Sequence, residues 1–165
     1  MNQREKNKVI FQDTENRCKQ HAVLKKAIET SGKQQKVYKE NEIITAITDV
    51  MKKQKTNIVV STKRSLEAAI VYKGKNVCVH NFASATNPGG GVARGSNAQE
   101  EYLCRLSTLY FNLNSSQCWN EFYTPHREMH DTLYNDDCIY TPGVGMWSVQ
   151  KSARSGCLLS SVGRE

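Results

Sequence analysis

The sequence lacks any run near the roughly 18 consecutive apolar residues of a membrane-spanning helix, so no anchor of that kind is expected. Met1 to Lys8 are polar with no apolar stretch behind them, so no signal peptide is expected either. No Cys-x-x-Cys pair occurs: Cys18, Cys78, Cys104, Cys118, Cys138 and Cys157 are scattered along the chain. That scatter argues against a zinc ribbon, and without an export signal the thiols read as reduced groups of a cytoplasmic protein. Internal repeats and low-complexity tracts are absent. Aromatic residues are only 8% of the chain and are sparse in residues 1–75, where no recognised nucleic-acid motif occurs.

What remains is 165 residues, 38% apolar and 24% charged, which suits a soluble domain with one sizeable core. The net charge of +7 is unevenly spread: residues 1–75 hold 17 Lys/Arg against 8 Asp/Glu, and residues 76–165 hold 6 against 8. A basic first half can attract a polyanion such as nucleic acid or poly(ADP-ribose). It can equally be a set of solvated helix faces.

Hydropathy patterning divides the chain into a basic helical region over 1–55, an α/β core over 56–142 and a tail over 143–165. Asp13 or Thr14 is expected to cap a helix running to about Thr30, ended by Ser31 and Gly32. Val37-Tyr38 suggests a short strand. Ile43, Ile44, Ile47, Val50 and Met51 recur at helical spacing within 40–54. The β-branched run Asn57–Ser61 and the segment Asn76–Phe82 read as buried strands flanking a helix over 62–72, with a turn at 73–75. That order predicts a right-handed crossover and a largely parallel sheet. Residues 83–97 form a loop. A helix is expected from Ser96 or Asn97 to about Leu113, a weaker one over 117–129 interrupted at Pro125, and a third strand over Cys138–Thr141. Beyond Gly143 the periodicity stops.

Chemistry concentrates between Asn81 and Tyr110, where a strand ends, a glycine-rich loop follows and a helix begins. Consecutive glycines let backbone N–H groups approach a phosphate, and a helix N-terminus adds positive character. Gln99, Glu100 and Glu101 fall in that helix's first turn. Acidic residues there are common for dipole reasons alone. A carboxylate beside a loop suited to anions also fits glycoside hydrolysis, in which a carboxylic acid protonates a leaving oxygen.

Asn81–Gly91 (NFASATNPGGG), followed after seven intervening residues by Gln99-Glu100-Glu101, resembles the signature of microbial-type poly(ADP-ribose) glycohydrolases. The match is closest over 81–110 and extends more weakly from about Ile58 to about Pro142. The resemblance implies a macrodomain-like three-layer α/β/α sandwich with a mixed sheet. It implies hydrolysis of ribose–ribose O-glycosidic bonds without a cofactor, releasing ADP-ribose from poly(ADP-ribose) on modified proteins. By position, Glu101 matches the catalytic acid and Glu100 the neighbour that contacts ribose hydroxyls. Gly89, Gly90 and Gly91 match the diphosphate-contacting loop, Asn87 the contact to the distal ribose, and Gln99 a residue at the substrate site that orients loop or carboxylates.

The resemblance is lost over 143–165, which does not match the family's later strands and second glycine-rich loop. A C-terminally incomplete sandwich is the expectation, as a frameshift or early stop would produce. Elsewhere, His126 and His130 share a helical spacing with Cys118 and Cys138 flanking them, but without a paired-Cys spacing no metal site is expected. His80 reads as a core residue. Cys104 reads as a structural thiol, and Trp119, Phe122 and Tyr123 as a core or edge-covering cluster. Arg94 reads as exposed or as a phosphate partner. Three function classes stay open: the glycohydrolase, an ADP-ribose-binding fragment that does not hydrolyse, and a nucleic-acid-binding protein using the basic half.

Overall fold

The computed structural model describes residues 1–42, 55–72, 74–130, 133–147 and 159–161. The helix expected over 40–54 therefore lies almost wholly outside the described residues. The elements in order are helices α1 (Gln3–Gln20) and α2 (Ala22–Gln34), strand β1 (Lys36–Tyr38), and helices α3 (Ser65–Val71), α4 (Gln99–Arg105) and α5 (Leu109–Leu113). Helices α6 (Ser116–Cys118) and α7 (Thr124–Glu128) follow, joined by a π-helical turn at Trp119–Tyr123. Strands β2 (Cys138–Tyr140), β3 (Gly145–Trp147) and β4 (Leu159–Ser161) come last. The architecture is mixed helix and small sheet: β1 pairs antiparallel with β2, and β3 with β4.

Helix α1 starts eleven residues before the expected cap. Asn2 accepts from the Glu5 N–H at 2.9 Å while Glu5 accepts from the Asn2 N–H at 3.0 Å, closing a capping box. Thr14 is no cap but a buried mid-helix residue whose hydroxyl donates to the Arg105 carbonyl at 2.5 Å. Asn7, Phe11, Thr14 and Cys18 form one stripe at helical spacing, and Asn7 donates to the Gly95 carbonyl at 3.1 Å. The chain breaks at His21, in extended conformation, and α2 then runs past Ser31-Gly32 to Gln34.

Two expected strands are corrected. Residues 57–61 and 76–82 form no ladder among the described residues, and Ile58, Val59, Val60 and Phe82 are exposed. A β-branched run specifies a backbone suited to a sheet, but a strand exists only when a neighbour supplies its hydrogen bonds. The parallel sheet expected from this order is absent among the described residues. The third strand is present, as β2, with Val37 opposite Ile139.

The long helix expected over 96–113 is split. Leu106 and Thr108 turn their backbones to β3: the Trp147 N–H donates to the Leu106 carbonyl at 3.0 Å and the Thr108 N–H to the Gly145 carbonyl at 2.9 Å. Trp147 joins Cys18, Leu24, Leu66, Leu103 and Leu106 in the main apolar cluster. The loss of periodicity after Gly143 therefore hid a core residue worth roughly 1.5–3 kcal/mol of burial.

Pro125 does not interrupt its helix. It sits at the start of α7, and the π-helical turn precedes it. The Thr124 N–H reaches five residues back to the Trp119 carbonyl. The Glu121 carbonyl, which an N–H at position 125 would satisfy, accepts instead from the Lys39 ammonium.

Candidate active site

The site is built on the loop between residue 80 and α4. The Gln99 side chain pins its start: Oε1 accepts from the Phe82 N–H at 2.8 Å, and Nε2 donates to the His80 carbonyl at 2.7 Å and to Ser65 Oγ at 3.1 Å. One amide thus does for residues 80–82 what a neighbouring strand would do. His80 itself is exposed, ring edge to face with Phe82 at 4.8 Å, not a core residue.

The loop then curls onto the two acids. Ser84 Oγ accepts from the Asn87 N–H at 3.1 Å, and the Asn87 carbonyl accepts from the Gly90 N–H at 3.0 Å. Glu100 and Glu101 are buried, at 3% and 7% exposure. Glu100 Oε2 accepts from the Ser84 N–H at 2.8 Å. Glu101 Oε1 accepts from the Gly91 N–H at 2.8 Å and its Oε2 from the Ala98 N–H at 3.0 Å. Both carboxylates abut Gly90, which has φ +58°. A Cβ placed there would stand 2.6 Å from Glu101 Oε1 and 3.1 Å from Glu100 Oε2. The triple glycine and the acids of α4 therefore share one side of the loop. Two of the glycine N–H groups, at 90 and 91, are spent on Asn87 and Glu101 inside the loop. What Gly90 chiefly supplies is space for the carboxylates.

Glu100 Oε1 is buried and closes no hydrogen bond, as is Asn81 Oδ1. Burial pushes the Glu100 carboxyl up from its ordinary range; the Ser84 N–H and the nearby Asn81 side chain pull it back, and the Glu101 charge adds to the rise. A carboxyl with a raised folded-state pKa favours folding fully below its unfolded pKa, and that contribution is lost as pH rises through the folded value. Glu100→Gln removes the effect. Urea unfolding is expected to show variant and parent closest near pH 4 and the variant gaining steadily towards pH 7. A gap that stays constant over that range would contradict this assignment.

Three residues not singled out from sequence complete the site. Ser84 anchors Glu100. Arg105, 3% exposed, donates to the Ser96 carbonyl at 2.6 Å and to Asn97 Oδ1 at 2.8 Å, so it fixes the descent into α4. Arg127 donates to the Thr86 carbonyl and to Asn87 Oδ1, each at 2.8 Å. Spacing along the chain gave no signal for Arg127, which lies 40 residues from Asn87. Arg94 is exposed, and its carbonyl accepts from Arg4. Cys104 is fully buried, and burial raises its thiol far above the ordinary range, which suits a structural role. Cys18 and Cys118 are also buried free thiols.

His126 faces the Phe122 carbonyl at 2.6 Å and Asn135 Oδ1 at 2.8 Å through its two ring nitrogens. Among the described residues no group of three His, Cys, Asp or Glu side chains is arranged to hold a metal. Phe122 and Tyr123 are buried in the core, and no helix of the described residues is long and apolar enough to cross a membrane.

The sequence model of the family described as "Microbial-type PARG, catalytic domain" matches residues 5–148. The chain belongs to this family. The matched span takes in α1 and α2 as well as Trp147, so membership reaches well beyond the 58–142 similarity read from the motif. The chain is similar to the poly(ADP-ribose) glycohydrolase (PARG) of Thermomonospora curvata, with 27% identity and a TM-score of 0.74 over 88% of this chain and 58% of that one. The same bacterium's enzyme bound to the inhibitor ADP-HPD matches at 26% identity and a TM-score of 0.73, over 88% of this chain and 56% of that one. The Deinococcus radiodurans PARG in complex with ADP-ribose matches at 31% identity and a TM-score of 0.64, over 74% of this chain and 50% of that one. The chain thus spans about half the length of these PARG structures. No curated protein matches it.

Proposed function

We propose that this chain is a poly(ADP-ribose) glycohydrolase in which the Gly89–Gly91 turn and the α4 carboxylates hold and cut a ribose–ribose linkage. The observation that carries the reading is that both acids stand on the side of Gly90 where a Cβ would lie, so a ligand lying on that turn meets a carboxyl group at once. In the reaction, the Glu101 carboxylic acid gives its proton to the leaving ribose oxygen as the C1″–O bond breaks. The oxocarbenium-like sugar left behind takes up water, whose proton returns to the Glu101 carboxylate. Each Glu101 oxygen already accepts one N–H and keeps a second lone pair, where that proton would be carried. The Glu100 carboxyl suits a ribose hydroxyl, since its Oε1 is buried with no full hydrogen bond closed on it.

We assign the chemistry to the 56–142 region, built as part of a macrodomain-like three-layer sandwich and working in the cytoplasm, on ADP-ribosylated proteins as the wider substrate. Gln99 then acts by holding residues 80–82 in place, and Asn87 meets the distal ribose. A second reading, an ADP-ribose-binding unit that does not hydrolyse, has one observation in its favour: both Glu101 oxygens are engaged by the Gly91 and Ala98 N–H groups, which favours the ionised form that cannot give a proton. Incubation with purified poly(ADP-ribose), read as free ADP-ribose beside a polymer-binding assay, separates them. Product release supports the hydrolase, retention without product supports the binding unit, and absence of both overturns the assignment to ADP-ribose chemistry.

A further inference from the structure

The π-helical turn at Trp119–Tyr123 has a geometric consequence for the glycine loop. Two α-helical turns advance about 7.2 residues. A π turn takes about one residue more, so residues eight apart across it return to one face. Trp119 and Arg127 are such a pair, and the Arg127 guanidinium lies over the Trp119 ring at 4.6 Å from its centroid. Trp119 is itself held, its indole N–H donating to Asn114 Oδ1 at 2.8 Å.

So fixed, the guanidinium reaches the loop with two donors. Nε donates to the Thr86 carbonyl and Nη2 to Asn87 Oδ1. Arginine has only donors, so Asn87 must present its oxygen to it. The Asn87 Nδ2 then donates to Thr86 Oγ1 at 3.0 Å, which sets both ends of the amide. The same residue's carbonyl accepts from Gly90, one residue from the N–H that binds Glu101. A continuous chain of contacts therefore runs from Trp119 through Arg127 and Asn87 to Gly90 and the acids.

We propose that Arg127, stacked on Trp119, is a positioning residue that fixes the Asn87 amide and through it makes the site favour a nucleotide carrying a distal ribose over one ending at the diphosphate. The proposal rests on the reading of the site as ADP-ribose-binding. It also makes Pro125, whose missing N–H accompanies the π turn, part of the reason Arg127 reaches the loop.

The test compares the parent with Arg127→Ala, Arg127→Lys and Trp119→Leu. Each is read by hydrogen exchange at the Gly90 N–H, by calorimetric titration with ADP-ribose and with ADP, and by thermal unfolding. Arg127→Ala is expected to speed Gly90 exchange and weaken ADP-ribose binding each by about tenfold, the scale of a lost charge-assisted hydrogen bond at an exposed position. ADP affinity and Tm are expected to stay near the parental values. Arg127→Lys keeps the charge but not the planar fork and is expected to restore less than half of the loss. Trp119→Leu is expected to shift exchange and ADP-ribose affinity in the same direction. Parental Gly90 exchange in Arg127→Ala overturns the proposal, as does equal weakening of ADP-ribose and ADP, which a merely structural role would give. A parent that binds no ADP-ribose overturns the functional reading and the ligand half of this proposal with it, while Gly90 exchange still decides whether Arg127 holds the loop.

Discussion

Glu101→Gln is expected to lower release of ADP-ribose from polymer by about 10²–10⁴-fold, the usual contribution of a positioned general acid. The geometry adds a second effect that the motif alone does not reveal. Glu101 accepts the Gly91 and Ala98 N–H groups on separate oxygens. Glutamine has one oxygen, so its NH₂ must face one of those donors. Loss of that hydrogen bond, with two donors left opposed, is expected to cost roughly 1–3 kcal/mol of stability. The fold survives such a loss if its total stability lies in the ordinary range of about 5–15 kcal/mol. Turnover and urea unfolding measured on the same preparation therefore give two numbers. Parental turnover would show that another group supplies the proton. Parental stability with lost turnover would show that the hydrogen bond given up is worth little in solution.

Gly95→Ala is expected to be the most destabilising single-methyl change in the loop. Gly95 has φ +80°, where an alanine costs roughly 1–2 kcal/mol. Its new methyl would also collide with the Arg4 carbonyl oxygen, a backbone atom that can move only if α1 moves. Asn7 and Arg4 hold α1 to the carbonyls of residues 95 and 94, so displacement of α1 loosens those hydrogen bonds too. The sum is expected to be about 3 kcal/mol or more. Denaturant unfolding should show a lower midpoint with an unchanged slope. A midpoint equal to the parent's would mean that α1 is not docked on the loop.

The acid pair and the docking of α1 differ in how far the sequence reveals them. The Gly89–Gly91 and Gln99–Glu101 signature was legible, and the structure brings its members together, because the interacting groups lie within about one helix and one loop of each other. The burial of α1 on Gly95 was not legible. Its stripe of Asn7, Phe11, Thr14 and Cys18 is half polar, and its polar members are buried through hydrogen bonds that hydropathy does not register. Trp147 was missed for a related reason: one aromatic among small and polar residues carries no periodicity. The β-branched run at 57–61 failed in the opposite sense, since local composition suits a strand but cannot supply the neighbour that makes one. Arg127 needed the π turn, which only Pro125 hinted at.

ADP-ribose is expected to lie where the glycine turn meets the α4 acids. A titration of ADP-ribose followed by backbone amide chemical shifts tests it most directly. Saturable shifts are expected, concentrated at residues 84–91 and 99–101. Shifts confined to the basic surfaces of α1 and α2, or none at saturating ligand, would contradict it.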